Sequence, residues 1–133
     1  MAFGVATTIT NKGRAMFADR IRTSPGTYTT SPKFVAMGTG ATGAARTAAV
    51  TDTALSTEVE TRTSGTESVV TTTITNDTYQ VTGTITATAG RSVDEAGLFD
   101  AVSTGNMFTS ATLNVVTLVS GDSIAWTWQV KVS

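Results

Sequence analysis

The chain has 133 residues, a net charge of −1 and only 14% charged residues, whereas 40% of its residues are hydrophobic and 30 are threonine. Cysteine and histidine are absent, which excludes disulfide scaffolds, thiolate nucleophiles, imidazole metal sites and Ser-His-Asp or Cys-His catalysis. The hydrophobic fraction and low net charge exclude a disordered chain, and the threonine excess favours strands because β-branched side chains fit a pleated surface.

The amino-terminal part predicts an extended arm over residues 1–10 and a short helix over residues 11–22. Thr10 or Asn11 can cap this helix. Its apolar positions are Met16, Phe17 and Ile21. The arm has neither the basic nor the apolar segment of a signal peptide, and no apolar run is long enough to cross a membrane. We therefore expect a soluble protein made in a cytoplasm.

The middle of the chain predicts a loop at residues 23–32, which holds both prolines, and a short buried strand at 33–38. About one helical turn is predicted within residues 51–59, capped by Thr51 or Asp52. Gly38, Gly40 and Gly43 match the G-x-G-x-x-G pattern of dinucleotide sites. That fold needs a helix directly afterwards and a parallel βαβ unit, whereas the following strands alternate like antiparallel ones. A surface loop is the better interpretation.

From residue 60 onward the sequence alternates strand and turn. Strands are predicted at residues 60–63, 67–75, 78–88, 92–99, 106–114 and 123–132. Asn76 and Asp77 suit the tight hairpin between the second and third of these. In residues 78–88 one face is apolar and the other carries hydroxyl groups. The apolar face is Tyr79, Val81, Gly83, Ile85 and Ala87, and the other is Gln80, Thr82, Thr84, Thr86 and Thr88.

The last strand has the strongest apolar face and predicts a central strand of the core. The core anchors expected there are Ile124, Trp126, Trp128 and Val130, with Val132 on the same face and Phe99 on an earlier strand. Six or seven short strands predict one mainly β domain over residues 1–133, an antiparallel β-sandwich of jelly-roll or Ig-like type with one short N-terminal helix.

Two groups of residues offer weaker functional interpretations. Asp94, Glu95 and Asp100 lie close in sequence, but neighbours on a strand point to opposite faces, so we expect neither a metal site nor catalysis. Glu95 is expected to share a face with Val93 and Phe99. Trp126 and Trp128 with Tyr79 or Tyr28 are the residues that a carbohydrate-binding module would use, but core packing is the favoured role of the tryptophans.

Charge is distributed unevenly along the chain. Up to residue 46 there are six basic residues and one acidic residue, a net charge of +5, and the remainder carries three basic and nine acidic residues, a net charge of −6. The two halves either pair within one fold, or the basic part docks on an acidic partner. The candidate docking residues are Lys12, Arg14, Arg20, Arg22 and Arg46. The negative overall charge argues against nucleic acid as the partner.

The order of several segments resembles a group of small virion structural proteins of tailed phages. These segments are TITNKGRAMFADRI, KFVAMGTGATG, TALSTEV, NDTYQVTGTITAT, DEAGLFDA and GDSIAWTWQVKV. A similar order is found at the amino end of phage tail-collar fibre proteins, where a long shaft follows. Here the chain ends at Ser133, one residue past the last strand, so we expect a stand-alone module on a virion surface.

The resemblance implies a non-enzymatic capsid decoration, or cement, protein that binds the assembled capsid and stabilises it. Its partners would be the major capsid protein or other virion proteins, with self-association as a dimer or trimer, no cofactor, and no nucleic acid or membrane. The protein would be made in the bacterial host cytoplasm and located in the virion. A tail, neck or baseplate adaptor is the alternative, and a carbohydrate-binding module is the alternative of another class.

Overall fold

The protein folds into two antiparallel sheets and one short helix, which confirms the predicted mainly β class. The computed structural model describes residues 6–22, 26–40 and 47–132. The elements in chain order are β1 Ala6–Ile9, α1 Asn11–Ile21, β2 Phe34–Gly38, β3 Glu58–Ser64, β4 Thr66–Val70, β5 Thr78–Thr86, β6 Arg91–Phe99, β7 Met107–Leu118 and β8 Ser123–Lys131. The described part of the predicted arm, from residue 6, pairs with β7 as β1.

The two sheets pack face to face and enclose the main core. One sheet has five strands in the order β1-β7-β6-β2-β3, and the other has three in the order β4-β5-β8. Buried side chains of both sheets meet between them, including Val35, Val93 and Leu98 from the first and Val81, Ile85, Ile124, Trp126 and Trp128 from the second. This arrangement is a β-sandwich, in which each strand places one face in the core.

The alternation predicted for β5 is confirmed from Val81 to Thr86, whereas Tyr79 and Gln80 before it are both partly buried. Val81 and Ile85 are buried, whereas Thr82, Thr84 and Thr86 are exposed. Since paired residues of neighbouring strands share a face, Thr82 lies between Thr66 of β4 and Thr127 of β8. The outer face of the three-stranded sheet is therefore a surface rich in hydroxyl and amide groups.

The core face of β8 is confirmed, but the prediction that β8 is a central strand is wrong. Ile124, Trp126 and Trp128 are buried, and Val130 is partly buried against the same core. Among the described residues β8 pairs only with β5, so β5 is the central strand and β8 is an edge. An apolar face determines which side of a strand is buried in the core, but it does not determine which strands pair with it in the sheet.

A second, smaller cluster covers the outer face of the five-stranded sheet. It contains Phe99, Ala36, Met107 and Leu55, the last from the segment before β3. The helical turn predicted within residues 51–59 does not form. The Asp52 carboxylate instead accepts hydrogen bonds from the Ala49 N–H at 3.0 Å and the Ser110 hydroxyl at 2.6 Å, which ties this segment to β7. β7 itself continues to Leu118, beyond the predicted end at residue 114.

Helix α1 begins at the predicted cap and packs closely on β7. The Thr10 hydroxyl accepts a hydrogen bond from the Gly13 N–H at 3.0 Å and donates one to the Met107 carbonyl. A Cβ atom added to Gly13 would lie 2.1 Å from the Phe108 carbonyl oxygen. Gly13 therefore lowers the intrinsic helix propensity but permits the contact that buries Met16.

Arg62 of β3 joins the sheet to the loop after β6. Its guanidinium donates two hydrogen bonds to the Glu58 carboxylate, at 2.7 and 2.9 Å, and two to the carbonyls of Ala101 and Thr104, at 2.9 and 2.6 Å. The guanidinium carbon also lies 3.5 Å from the centroid of the Phe99 ring. Burial of this cation is tolerated because its donors are matched with oxygen acceptors.

Replacement of Arg62 by alanine should lower the free energy of unfolding by about 2–4 kcal/mol, since it leaves Glu58 and two carbonyls without their donor. Urea unfolding followed by tryptophan emission measures this change. Arg14→Ala is the control, because Arg14 is exposed and makes no ion pair with a described carboxylate, and it should cost less than about 0.5 kcal/mol. Equal costs for the two variants would contradict this role of Arg62.

The loop between β4 and β5 is organised by Asp77. Its carboxylate accepts hydrogen bonds from the N–H groups of Thr72, Thr73 and Ile74 at 2.9–3.0 Å, and from the Thr78 hydroxyl at 2.9 Å. The Ile74 N–H, followed by the other donors, holds the pKa of Asp77 well below its ordinary value of 3.8, because these bonds favour the ionised form. Asn76 has a left-handed φ of 60°, but the predicted strand over residues 67–75 and its tight hairpin at residues 76–77 are wrong, since β4 ends at Val70 and a loop over residues 71–77 joins it to β5.

The free energy of unfolding should therefore decrease at acidic pH, in part because Asp77 becomes protonated. A carboxyl whose pKa is lowered by folding stabilises the native state above its unfolded pKa, and this contribution is lost as the pH falls below 3.8 toward the folded pKa. Urea midpoints measured between pH 5 and pH 2 should fall less steeply for Asp77→Asn than for the unmodified protein. Thr84→Ala, on the exposed face of β5, should keep the original slope; an unchanged slope in Asp77→Asn would contradict this assignment.

Candidate docking surface

The carboxylates of the chain are all engaged within the fold. All ten lie in the described residues. Four form ion pairs: Asp19 with Arg22, Glu58 with Arg62, Glu60 with Arg91, and Glu67 with Lys33, at N–O distances from 2.7 to 3.6 Å. The others have hydrogen-bonding or electrostatic partners. Hydrogen bonds from Arg91 and from the hydroxyl and N–H of Thr88 lower the pKa of Glu60.

Several basic side chains, in contrast, make no ion pair with a described carboxylate. Among the described residues, Lys12, Arg14, Arg20 and Lys131 are exposed and make no ion pair with any carboxylate. Arg20 donates to the Thr29 carbonyl at 2.8 Å, and Lys131 to the Thr73 hydroxyl at 2.5 Å. Both acceptors are neutral oxygen atoms.

An apolar groove lies between α1 and the C-terminal end of β8, beside these charges. It consists of two adjoining recesses of about 280 and 260 Å³. The shared lining is Phe17, Phe108, Val130 and Val132, and Phe17 and Val132 are 44% and 54% exposed. Arg14, Arg20 and Lys131 also line it, whereas no Asp or Glu is among the described lining residues. The groove therefore combines an apolar floor with a positive rim.

The structure separates the five predicted docking residues into three groups. Lys12, Arg14 and Arg20 lie exposed on α1, with Lys12 Nζ 5.9 Å from the centroid of the Tyr28 ring. Arg22 pairs with Asp19 at the end of the helix. Arg46 lies outside the described residues. That these residues dock a partner stays a prediction.

Sequence reasoning did not include Lys131 or Val132 in the docking surface. Lys131 is the last residue of β8 and Val132 follows it, so both are far along the chain from α1. They lie near Phe17 and Arg14 because all four residues line the same recess, together with Phe108. The charge asymmetry along the chain identified only the helical half of this surface.

The G-x-G pattern has a packing role in the residues that the structure describes. A Cβ on Gly38 would lie 2.5 Å from a Glu95 carboxylate oxygen, and one on Gly40 would lie 2.5 Å from the Ser56 Cβ. β2 pairs antiparallel with both β3 and β6, so it is not part of a parallel βαβ unit. Gly43 lies outside the described residues. These two glycines allow close packing of the segment before β3.

The acidic group predicted around residues 94–100 does not come together as one site. Asp94 and Glu95 are buried, and Glu95 accepts a hydrogen bond from the Thr57 N–H at 2.8 Å. Asp100 accepts from the backbone and side-chain N–H groups of Asn106. Within the described ranges no three Asp or Glu residues are placed to hold a metal ion.

The prediction that Val93, Glu95 and Phe99 share one face of β6 is wrong for Val93 and Phe99, which lie in different clusters. Val93 packs in the main core with Ala96 and Leu98, whereas Phe99 belongs to the second cluster. The pairing of β6 with β7 shifts register between Val93 and Glu95, and such an irregularity interrupts the strict alternation of faces.

Both tryptophans are buried, at 7% and 8% exposure for Trp126 and Trp128, and they pack in the main core. Neither indole presents a face on which a sugar could stack. Tyr79 is partly buried, and its single hydroxyl proton has two acceptors within hydrogen-bond distance, the Glu67 carboxylate at 2.9 Å and the Pro32 carbonyl at 3.1 Å. Tyr28 is also partly buried. Trp126, Trp128 and the two tyrosines therefore do not form an exposed aromatic platform of the kind predicted for a carbohydrate-binding module.

Trp126→Ala should lower the free energy of unfolding by about 3–5 kcal/mol, because it removes a large buried side chain and leaves a cavity. The matched control is Thr127→Ala, whose side chain is exposed on the other face and whose cost should stay below about 0.5 kcal/mol. Urea unfolding followed by circular dichroism measures both. A stable Trp126→Ala protein that has lost binding to glycans would instead support a carbohydrate site.

Comparisons with known proteins give no match: no protein-family model, no curated protein and no solved structure is significantly similar to this chain. In the ranges that the structure describes, no helix has the length and apolar character needed to cross a membrane.

Proposed function

We propose that this chain is a non-enzymatic structural protein of a tailed-phage virion, of the capsid decoration type, which binds the assembled capsid and stabilises it. The observation that carries this proposal is a group of four exposed basic residues on and beside α1, which make no ion pair with a described carboxylate and three of which line an apolar groove. An apolar centre with a charged rim is a common composition of protein interfaces. The order of sequence segments supplies the virion assignment.

Charge distribution supports a protein partner with an acidic surface. Because the carboxylates of this chain are engaged internally, its positive residues at the groove remain available to a partner, and complementary charges speed encounter and fix orientation. The major capsid protein or another virion protein would supply that surface. The outer face of the three-stranded sheet, with Thr82, Thr84 and Thr127 exposed, would then remain in contact with solvent.

Stabilisation would follow from mass action. A protein that binds the assembled shell and not its dissociated subunits adds about 2.7 kcal/mol per site when its free concentration is 100 times its Kd. No reaction is required of the bound protein. Self-association as a dimer or trimer would add avidity on a symmetric shell.

The resemblance to the amino end of tail-collar fibre proteins favours one alternative location, in the tail, neck or baseplate. The same groove would then bind another virion protein. Electron microscopy of particles that carry a labelled copy of the chain separates the two locations, because a decoration protein labels the head and an adaptor labels the tail.

Purified protein should raise the melting temperature of capsids that lack it, and Arg14→Ala should weaken this binding two- to fivefold at low salt, as expected for about 0.5–1 kcal/mol from one rim charge. Thr84→Glu is the control, since it changes the net charge by the same amount on the outer face. Cosedimentation with capsids measures both affinities, and added salt should reduce the difference.

Two results would contradict this proposal. Absence of any binding to capsids excludes the decoration role. Weaker binding of Thr84→Glu together with unchanged binding of Arg14→Ala would place the interface on the hydroxyl-rich face instead of the groove.

A further inference from the structure

The backbone of β8 has one side that no described strand pairs with. The Val132 N–H donates to the Asp77 carbonyl, and the Asp122 carbonyl accepts from the Ala87 N–H. Since antiparallel pairs alternate, the even-numbered residues of β8 direct their N–H and C=O groups toward β5. The odd-numbered residues Ser123, Ala125, Thr127, Gln129 and Lys131 therefore direct theirs toward the open edge.

This edge lacks the features by which natural sheets block strand addition. β8 is nine residues long, contains no proline, and pairs with β5 without a register shift. The edge strand β1 has four residues, and β4 has five with Glu67 among them. β3 carries Glu58, Glu60 and Arg62, and its ladder with β2 is irregular. β8 has a single charged residue, Lys131, at its end.

The open edge and the apolar groove adjoin each other. Val130, Lys131 and Val132 line the groove from the β8 side, and Arg14 and Phe17 line it from α1. In a strand added beside β8, side chains on the inner face would lie next to Val130 and enter the groove, whereas the alternate side chains would lie next to Gln129 and Lys131. An alternation of apolar and acidic residues matches both surroundings.

We propose that the edge of β8 binds an extended acidic segment of the partner protein, which adds as a further antiparallel or parallel strand. Its apolar side chains fill the groove beside Phe17 and Val132, and its carboxylates lie on the alternate face beside Lys131, while Arg14 and Arg20 on the α1 side of the groove add to the positive charge that attracts an acidic segment. Main-chain hydrogen bonds to the odd-numbered residues supply affinity, and the alternating side chains supply specificity. This inference rests on the proposed function, in that the segment belongs to the virion protein to which the chain binds.

The probe is a capped synthetic peptide of alternating glutamate and valine, and the control is the same peptide with lysine in place of glutamate. Amide hydrogen exchange of the labelled protein is followed by NMR. Saturating glutamate peptide should slow exchange at Ala125, Thr127 and Gln129 at least tenfold, whereas Trp126 and Trp128, already bonded to β5, should change little. The lysine peptide should have no effect at the same concentration.

Thr127→Pro tests the edge directly, since it removes one outward N–H at a position where an edge strand tolerates proline. It should abolish the effect of the peptide, while Thr127→Ala, which keeps the N–H, should not. If the proline variant fails to fold, the exchange measurement on the unmodified protein decides the question without it.

Three outcomes would overturn the proposal. No slowing by the glutamate peptide excludes strand addition, and equal slowing by the lysine peptide excludes acidic recognition. Protection at the odd-numbered residues that increases with protein concentration, without peptide, means that a second copy of the chain occupies the edge. Because this assay contains no capsid, its failure leaves capsid binding, measured by cosedimentation, as a separate result.

Discussion

Gly13 allows α1 to approach β7 so closely that any Cβ at this position would lie 2.1 Å from the Phe108 carbonyl oxygen. Thr10 fixes the same contact from the helix cap, with its hydroxyl bonded to the Met107 carbonyl. The helix is thereby held against the five-stranded sheet, near the open side of β8. The groove and the position of its basic residues depend on this approach, because a helix displaced outward would no longer share Phe108 with β8.

Charge and packing have separate roles in this fold. Carboxylates tie loops and strands together, as Glu58 does with the buried Arg62 and as Asp77 does within its own loop. Such groups are costly to leave unpaired, so their basic partners are fixed by the fold. Within the described residues, Lys12, Arg14, Arg20 and Lys131 make no comparable ion pair. Several positive side chains therefore lie close together on and beside α1, although the whole chain has a net charge of −1.

Sequence patterns predicted some parts of this structure well for a physical reason. The alternation in β5 and β8 and the Thr10 cap depend on local periodicity and on hydrogen bonds within one turn. The segment at residues 51–59 was mispredicted because Asp52 bonds to Ser110, which is remote in sequence. The register shift near Val93 likewise depends on β7. For the candidate surface, charge asymmetry identified Lys12, Arg14 and Arg20, but no local signal connects Lys131 to them.

By itself, the sequence determined the strand faces, the helix and the absence of cysteine and histidine, since these depend on composition and on neighbours along the chain. The tertiary structure alone decided that β8 is an edge and that Gly38 packs against Glu95. It also decided that Arg14, Arg20 and Lys131, which make no ion pair with a described carboxylate, line one apolar groove. These properties arise from lateral pairing and from contacts between distant segments, and a period of two residues specifies which face is buried but not which strand lies alongside.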